Sequence, residues 1–141
     1  MMEKVILARK VHFNCGHRYF NPNFSDEKNR EVFGSCYSEH GHGHNYTLEA
    51  YVRGQVSPDT GMVMNLKDLD QILKKVTDTL DHKFLNEDVE DFQALVPTTE
   101  NIGLYCFRNI STALKSLDIK LEKVRLYENE NLWVDLVAGL S

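Results

Sequence analysis

The chain has 141 residues and a mass of 16.3 kDa, which is the size of one ordinary domain. Its composition, 42% hydrophobic and 26% charged, is typical of a globular protein and excludes intrinsically disordered or collagen-like chains. The net charge of -5 comes without a basic cluster, so nucleic acid and anionic membranes are not expected as partners. We therefore expect a single domain over residues 1–141 that binds a small molecule.

The cellular location is predicted from the start of the chain and from its cysteines. Residues 1–10 mix charged with apolar side chains and lack a small-residue cleavage site, and no apolar run reaches transmembrane length. The cysteines Cys15, Cys36 and Cys106 are widely spaced and form no Cys-x-x-Cys pair, which is typical of a reducing compartment. These features predict a cytoplasmic protein.

Alternating apolar side chains predict two strands in the first part of the chain. The first strand covers residues 5–14, and the second covers residues 46–53, which run into a turn. The intervening residues 18–43 are polar and show little periodicity. Loops of this length inside a compact domain are usually functional or disordered, and we interpret this one as a functional loop.

Two amphipathic helices are predicted in the middle of the chain. Asn65 is a suitable N-cap for a helix whose apolar residues recur at three- and four-residue spacings over residues 66–80. Thr98 or Thr99 caps a second helix, whose apolar stripe extends from residue 102 to residue 117. Cys106 belongs to that stripe and is therefore expected in the core.

The end of the chain completes the predicted fold. Residues 124–126 and 132–136 predict two strands, joined by a turn at residues 129–131. Because strands group at both ends with helices between them, the order β-β-α-α-β-β predicts an α+β fold, an antiparallel four-stranded sheet with two helices on one face. Such a sheet leaves two open edges, so we expect oligomerisation.

Three histidines, His40, His42 and His44, follow one another at a spacing of two residues. In an extended chain such neighbours point to the same side, so adjacent imidazoles can converge on one ion. The outer two are about 13 Å apart in an extended chain, too far to share a metal ion, so another ligand must come from elsewhere. His17 is the best candidate because it shares the parity of Phe13 at the end of the first strand, and His40 is the nearest alternative. Three imidazoles with one open position are typical of catalytic zinc, although copper, nickel and iron also accept them.

Six segments of the chain resemble, in the same order, segments of the 6-pyruvoyl-tetrahydropterin synthase family. They are residues 13–18 (FNCGHR), Cys36 followed by residues 42–46 (HGHNY), residues 60–66 (TGMVMNL), residues 80–83 (LDHK), residues 98–101 (TTEN) and residues 126–128 (LYE). The resemblance extends over nearly the whole length, and it is carried by ordered, specific motifs rather than by a single match.

This resemblance implies a zinc-dependent lyase with a tunnelling-type fold. Its members convert 7,8-dihydroneopterin triphosphate to 6-pyruvoyl-tetrahydropterin with loss of triphosphate, in tetrahydrobiopterin biosynthesis. The resemblance also implies a homohexamer of two stacked trimers, in which the sheets close into barrels. It assigns His17, His42 and His44 as zinc ligands and leaves His40 outside the metal site.

The family resemblance also assigns the groups that move protons. Cys36 would be the base, because a cysteine on a polar loop near a metal and a charged imidazole can lose its proton at a lowered pKa. Asp81 and His82 would act with Cys36 in proton transfer, the carboxylate orienting the imidazole. Adjacent residues point apart in a strand, so this pair requires a turn.

Glu128 is the expected anchor of the pterin ring. It continues the core-facing parity of the strand that precedes it, and one carboxylate can accept hydrogen bonds from both a ring N–H and an exocyclic amine. The resemblance adds Thr98, Thr99 and Glu100 as supporting contacts. For the triphosphate the only candidates are single basic residues such as Arg18 and Lys83.

Two other functions stay open at this point. A neighbouring branch, 6-carboxy-tetrahydropterin synthase of queuosine biosynthesis, uses the same substrate, but its cysteine generally lies closer to the His-Gly-His segment. A third branch has a glutamate there, a position for which Glu39 is the candidate. The alternative outside enzymology is a non-catalytic protein that binds zinc or pterin on the same scaffold.

Overall fold

The computed structural model describes residues 3–139, which form five strands and five helices. In chain order the elements are β1 (Val5–His17), α1 (Asp26–Phe33), a 3₁₀ turn (Gly34–Cys36), β2 (His42–Gly54), α2 (Leu66–Asp78), β3 (Lys83–Phe84), α3 (Leu85–Asp88), α4 (Asp91–Ala94), α5 (Thr99–Leu114), β4 (Lys120–Asn129) and β5 (Leu132–Val137). The predicted α+β class is confirmed.

The strands form one mixed sheet in the order β3-β1-β2-β4-β5. The four long strands pair antiparallel as predicted, including the β4–β5 hairpin, but β3 pairs parallel with β1 through Cys15 and Gly16. The prediction of a purely antiparallel four-stranded sheet is therefore wrong. The additional strand, β3, has only two residues, too few to produce a periodic pattern in the sequence.

Helices α2 and α5 pack on one face of the sheet, and their capping residues fix where they begin. The Asn65 side chain accepts a hydrogen bond from the Lys67 N–H, and the Thr98 hydroxyl accepts one from the Asn101 N–H. Between these helices and the sheet lies the core, and Cys106 is fully buried in it, as expected. The largest fully buried side chains are Tyr46, Phe13, Phe92, Leu48, Leu69, Leu73, Leu80, Leu85, Ile102, Ile110, Leu114 and Leu126.

The expected loop over residues 18–43 is partly helical. Helix α1 begins at the Ser25 cap, whose hydroxyl accepts a hydrogen bond from the Lys28 N–H, and it ends at Gly34. Only Asn29 of this helix is buried, so the helix has no apolar stripe that the sequence could reveal. Helices α3 and α4, of four residues each, are likewise too short to predict, and the expected count of two helices is therefore wrong.

The other face of the sheet is not covered by any element of residues 3–139. It carries mainly polar side chains, among them Lys10, His12, Glu49, Arg125 and Asp135. Trp133 and Val137 on β5 are exposed beside them. Within the described residues, no helix has the length and apolar character needed to cross a bilayer.

Candidate active site

Strands β1 and β2 bring the three predicted ligands together at one end of the sheet. His17 lies directly opposite His42, and His44 lies opposite Cys15, so all three imidazoles project to the face covered by the helices. One ligand nitrogen from each ring lies within 4.8 Å of the other two. The ring centroids are 4.8 to 5.2 Å apart.

The orientation of the His17 ring is set by the backbone. Its Nδ1 lies 2.7 Å from the carbonyl oxygen of Pro97, which can only accept, so Nδ1 carries the proton and Nε2 carries the lone pair. His17 is completely buried, and burial lowers the pKa of His17 to about 4, so that the ring is neutral at neutral pH. A neutral imidazole held by a carbonyl on its far nitrogen is the usual state of a metal ligand.

A carboxylate lies directly against the histidine cluster. Oε1 of Glu128 is 3.5 Å from Nε2 of His17 and 3.5 Å from Nε2 of His44. Strand β4 places it there, because Glu128 continues the buried row of Val124 and Leu126. The side chain of Glu128 is only 11% exposed, which makes it the acidic group at the inner end of the site.

The remaining members of the histidine-rich segment lie outside this cluster. The His40 side chain is 91% exposed, and its nearest charged partner is Glu39, at 3.9 Å. The left-handed turn at Gly41, with φ of 73°, separates His40 from β2. The structure thus groups His42 and His44, but not His40, with His17.

Cys36 lies at the end of the 3₁₀ turn and is partly buried. Its carbonyl oxygen accepts a hydrogen bond from the Tyr19 N–H, and the Tyr19 ring meets the His17 ring edge-on at 5.4 Å. The pKa of Tyr19 is raised to about 12, mainly by burial and to a smaller extent by the nearby Glu128 and Cys36. The two other cysteines, Cys15 and Cys106, are buried, and burial raises the pKa of each to about 12, so they stay protonated.

Asp81 and His82 form the turn that their predicted pairing requires. His82 adopts φ of 60°, and its Nδ1 lies 3.0 Å from the Asp81 carboxylate. The other Asp81 oxygen accepts a hydrogen bond from the Asn14 N–H, which is the main reason that the pKa of Asp81 lies below its ordinary value. The His82 ring is 80% exposed and lines a cavity of about 380 Å³ with Asn14 and Asn45, whose side chains belong to the uncovered face. Among residues 3–139, no hydrogen bond or ion pair joins this pair to Cys36.

The three predicted supporting contacts lie at the start of α5 and have different surroundings. The Thr98 hydroxyl is already used as the helix cap. Thr99 is buried, and its side chain lies close enough to the Tyr19 phenol to oppose the rise of the pKa of that group. Glu100 is exposed in the first turn of the helix and is close enough to Tyr19 to raise the pKa of that phenol.

Three parts of the site had no counterpart in the sequence analysis. The Pro97 carbonyl is 80 residues from His17 in the chain, and because it is a backbone group no residue type predicts it. Tyr46 packs edge-on against both His17 and His44, with ring centroids at 6.2 and 5.8 Å. Tyr46 lies two residues after His44 in β2 and therefore on the same face of the strand, which was the available signal. Tyr19 follows His17 by the same spacing.

Two of the three clustered imidazoles have a buried nitrogen that lacks a partner within residues 3–139. Nε2 of His17 and Nε2 of His44 are buried and have no hydrogen-bond partner in the described part of the chain. Buried polar atoms without partners are uncommon and costly, and a cation between them would satisfy both. Imidazole nitrogens are ligands that zinc prefers. The residues present therefore fit a zinc ion.

The known proteins that are similar to this chain agree with the geometry of the site. The 6-pyruvoyl tetrahydropterin synthase family model matches residues 6–138. A 6-pyruvoyl tetrahydrobiopterin synthase of Dictyostelium discoideum is 40% identical over 95% of this chain and 96% of its own length. The structure of Caenorhabditis elegans 6-pyruvoyl tetrahydropterin synthase superposes with a TM-score of 0.91 at 35% identity, covering 98% of each chain.

A member of the neighbouring branch is also similar. The 6-carboxy-5,6,7,8-tetrahydropterin synthase of Bacillus subtilis is 34% identical over 88% of this chain and 77% of its own length. Its identity is lower than that of the Dictyostelium relative, and it covers less of both chains. The chain therefore belongs to the 6-pyruvoyl tetrahydropterin synthase family and is an enzyme of that family's lyase type.

Proposed function

We propose that this enzyme uses zinc to convert 7,8-dihydroneopterin triphosphate to 6-pyruvoyl-tetrahydropterin, with release of triphosphate. The observation that carries the proposal is the cluster of His17, His42 and His44 with the Glu128 carboxylate 3.5 Å from two of its nitrogens. A metal-binding set and a group able to recognise a pterin thus adjoin one another, and one small substrate can reach both.

His17, His42 and His44 would hold the zinc ion. When bound, zinc supplies Lewis acidity, which lowers the pKa of substrate hydroxyl groups. The chain itself contributes the arrangement of the ligands, since the Pro97 carbonyl fixes the His17 ring before any metal arrives. Tyr46 and Tyr19 enclose the same ring with aromatic surface and restrict water.

Glu128 would anchor the pterin by accepting hydrogen bonds from its ring N–H and its exocyclic amine. Such paired, charge-assisted bonds are about twice as strong as bonds between neutral groups. Because Glu128 lies against the histidine cluster, a ring held there would direct its side chain along the cluster. Thr99, buried beside Tyr19, would add a further contact to the ring.

Cys36 would remove the proton from the carbon beside a side-chain oxygen. Loss of triphosphate and conversion of the side-chain hydroxyls to ketones then require only proton shifts, so no nicotinamide is consumed. The Asp81–His82 pair would return protons, with the carboxylate orienting the ring. Since this pair faces the uncovered side of the sheet within one chain, its part in the reaction requires an assembled oligomer.

The sheet supports a homohexamer in which trimers close into barrels. Strand β1 pairs with β3 only at Cys15 and Gly16, so most of its outer edge is free within the described residues. Strand β5 pairs only with β4 in the same part of the chain. Two free edges on one sheet allow copies to pair edge to edge until the ring closes. We further propose that the enzyme acts in the cytoplasm, in tetrahydrobiopterin biosynthesis.

The Cys36→Ala variant tests the proposed function. It should remain folded and keep its zinc while losing turnover of dihydroneopterin triphosphate, because only the base is removed. Ser35→Ala is the matched control, since Ser35 is exposed in the same 3₁₀ turn, and it should keep full activity. Undiminished turnover by Cys36→Ala would contradict the assignment of the base. Full turnover by metal-free enzyme would contradict the zinc requirement.

The second candidate is the 6-carboxy branch, favoured by the similarity to the Bacillus subtilis enzyme. Mass analysis of the products of one incubation separates the two reactions, because release of acetaldehyde marks the carboxy reaction. Zinc and pterin bound in stoichiometric amounts, with no chemical change after long incubation, would instead identify a binding protein.

A further inference from the structure

A second cavity, of about 470 Å³, opens beside the candidate site. It is lined by Arg18, Asp26, Arg30, Tyr37 and Glu39. Arg18 directly follows the predicted ligand His17 in the chain, and Tyr37 directly follows Cys36. The hydrogen bond from the Tyr19 N–H to the Cys36 carbonyl oxygen holds these two segments side by side, so the cavity residues Arg18 and Tyr37 each flank a residue of the candidate site.

The two arginines of this cavity have hydrogen-bond donors to spare. The Arg18 guanidinium lies near the stacked rings of Phe20 and Tyr37, 4.7 Å from each ring centroid. Its Nε is buried and has no hydrogen-bond partner in residues 3–139. The Arg30 guanidinium lies 5.9 Å from the Tyr37 centroid on the same cavity. In the described part of the chain neither arginine is in an ion pair, which leaves both charges available.

The two carboxylates on the cavity do not neutralise these arginines. Asp26 accepts a hydrogen bond of 3.0 Å from the Tyr37 hydroxyl. The Glu39 side chain is 87% exposed, and it lies 3.9 Å from the His40 ring. The cavity thus contains two guanidinium groups, each near an aromatic ring and neither in an ion pair within residues 3–139.

We propose that Arg18 and Arg30 bind the triphosphate chain of the pterin substrate. This inference rests on the proposed function, since it takes Glu128 as the pterin anchor and the histidine cluster as the site of the side-chain oxygens. The triphosphate is attached one carbon beyond those oxygens, and the arginine cavity directly adjoins the cluster along the chain. Planar guanidinium forks match pairs of phosphate oxygens, and stacking on a ring costs them no donors.

The proposal is tested by charge removal at the cavity, with the zinc-loaded protein. Arg30→Gln is the cleaner variant, because Arg30 is exposed on α1. We expect about a tenfold or larger loss of affinity for inorganic triphosphate, measured by calorimetry, and a comparable rise of KM for dihydroneopterin triphosphate. Arg18→Gln should act in the same direction, and Arg18→Lys should restore part of the affinity. Binding of dihydroneopterin, which has no phosphate, should stay unchanged.

Lys28→Gln is the matched control, because it removes one positive charge from the same helix. The Lys28 ammonium lies 4.2 Å over the Phe24 ring and does not line the cavity. It should change neither the triphosphate affinity nor KM by more than about twofold. Zinc content measured on every variant separates loss of the anion site from damage to the neighbouring histidines.

The outcomes distinguish this inference from the function on which it rests. Normal turnover, with triphosphate affinity and KM unchanged in both Arg18→Gln and Arg30→Gln, would overturn the triphosphate site and leave the proposed function standing. Absence of turnover by the wild type, together with triphosphate binding that depends on both arginines, would overturn the proposed function and retain a polyphosphate site. Equal losses of triphosphate affinity in Arg30→Gln and Lys28→Gln would show that the effect comes from the overall positive charge of the helix, and would overturn the proposed site.

Discussion

Gly41 is the position at which a single methyl group should disturb the histidine cluster most. Its φ is 73°, so alanine there is strained in any surroundings. A Cβ would also lie 2.9 Å from the His17 carbonyl oxygen and 2.6 Å from Cε1 of Phe84. Both distances are shorter than real Cβ contacts, and the carbonyl belongs to a paired strand that cannot move freely. Gly41→Ala therefore combines backbone strain with crowding next to His42.

Gly61 separates these two effects, because it has the same φ of 73° and no atom within 4 Å of a Cβ. Gly61→Ala should cost only the left-handed strain, about 1–2 kcal/mol. Gly41→Ala should cost about 1–3 kcal/mol more, the usual range for overpacking. In a chain of 141 residues this difference corresponds to about 3–10 °C in Tm.

The assay is thermal unfolding of both variants at equal protein concentration, with zinc measured per chain. We expect the lower Tm and the lower zinc content for Gly41→Ala, because its strain is relieved by displacing His42. Adding Phe84→Leu to Gly41→Ala should recover part of the stability, since it removes the closest side-chain atom. Equal Tm losses in Gly41→Ala and Gly61→Ala, with equal zinc, would refute the crowding argument.

Two further predictions concern the polar contacts around the site. The buried Asn29 amide accepts a hydrogen bond from the Asn21 N–H and donates one to the Asn21 carbonyl. Asn29→Ala should therefore lower the free energy of unfolding, measured in urea, by about 1–3 kcal/mol. Asn23→Ala should change it little, because Asn23 is exposed. Equal midpoints for the two variants would contradict this role. The Asn14 N–H lowers the pKa of Asp81, so the ionised carboxylate stabilises the fold above its unfolded pKa of about 3.9 and loses this effect as the pH falls. The stability gap between wild type and Asp81→Asn should therefore close on acidification, and a gap of constant size from about pH 7 to about pH 3 would count against it.

The histidine cluster was predictable because its geometry follows from two local rules. Residues two apart in a strand share a face, which groups His42 with His44, and the parity of Phe13 and Cys15 carries His17 to the same side. The position of Glu128 follows from the same rule on β4. Alternation cannot decide which strands are neighbours, and for this the family motifs were required.

Other parts of the structure leave no trace in the sequence pattern. Helix α1 has one buried residue, so its apolar periodicity is absent. Its only signals are at its ends, the Ser25 cap with Asp26 and Glu27 in the first turn and Gly34 after the last. Strand β3 exists because the turn at Asp81 and His82 delivers two residues alongside β1. Contacts of this kind depend on tertiary structure and have no period to detect.

The hydrogen bond between His17 and Pro97 has a consequence for how this site can be mapped. Pro97 contributes only a peptide oxygen, so exchanging its side chain leaves the acceptor in place and a conventional mutational scan would pass over it. Replacing the amide that follows Pro97 by an ester would weaken that oxygen as an acceptor without altering any side chain. Semisynthesis is thus the route to measuring what the backbone contributes to this candidate site.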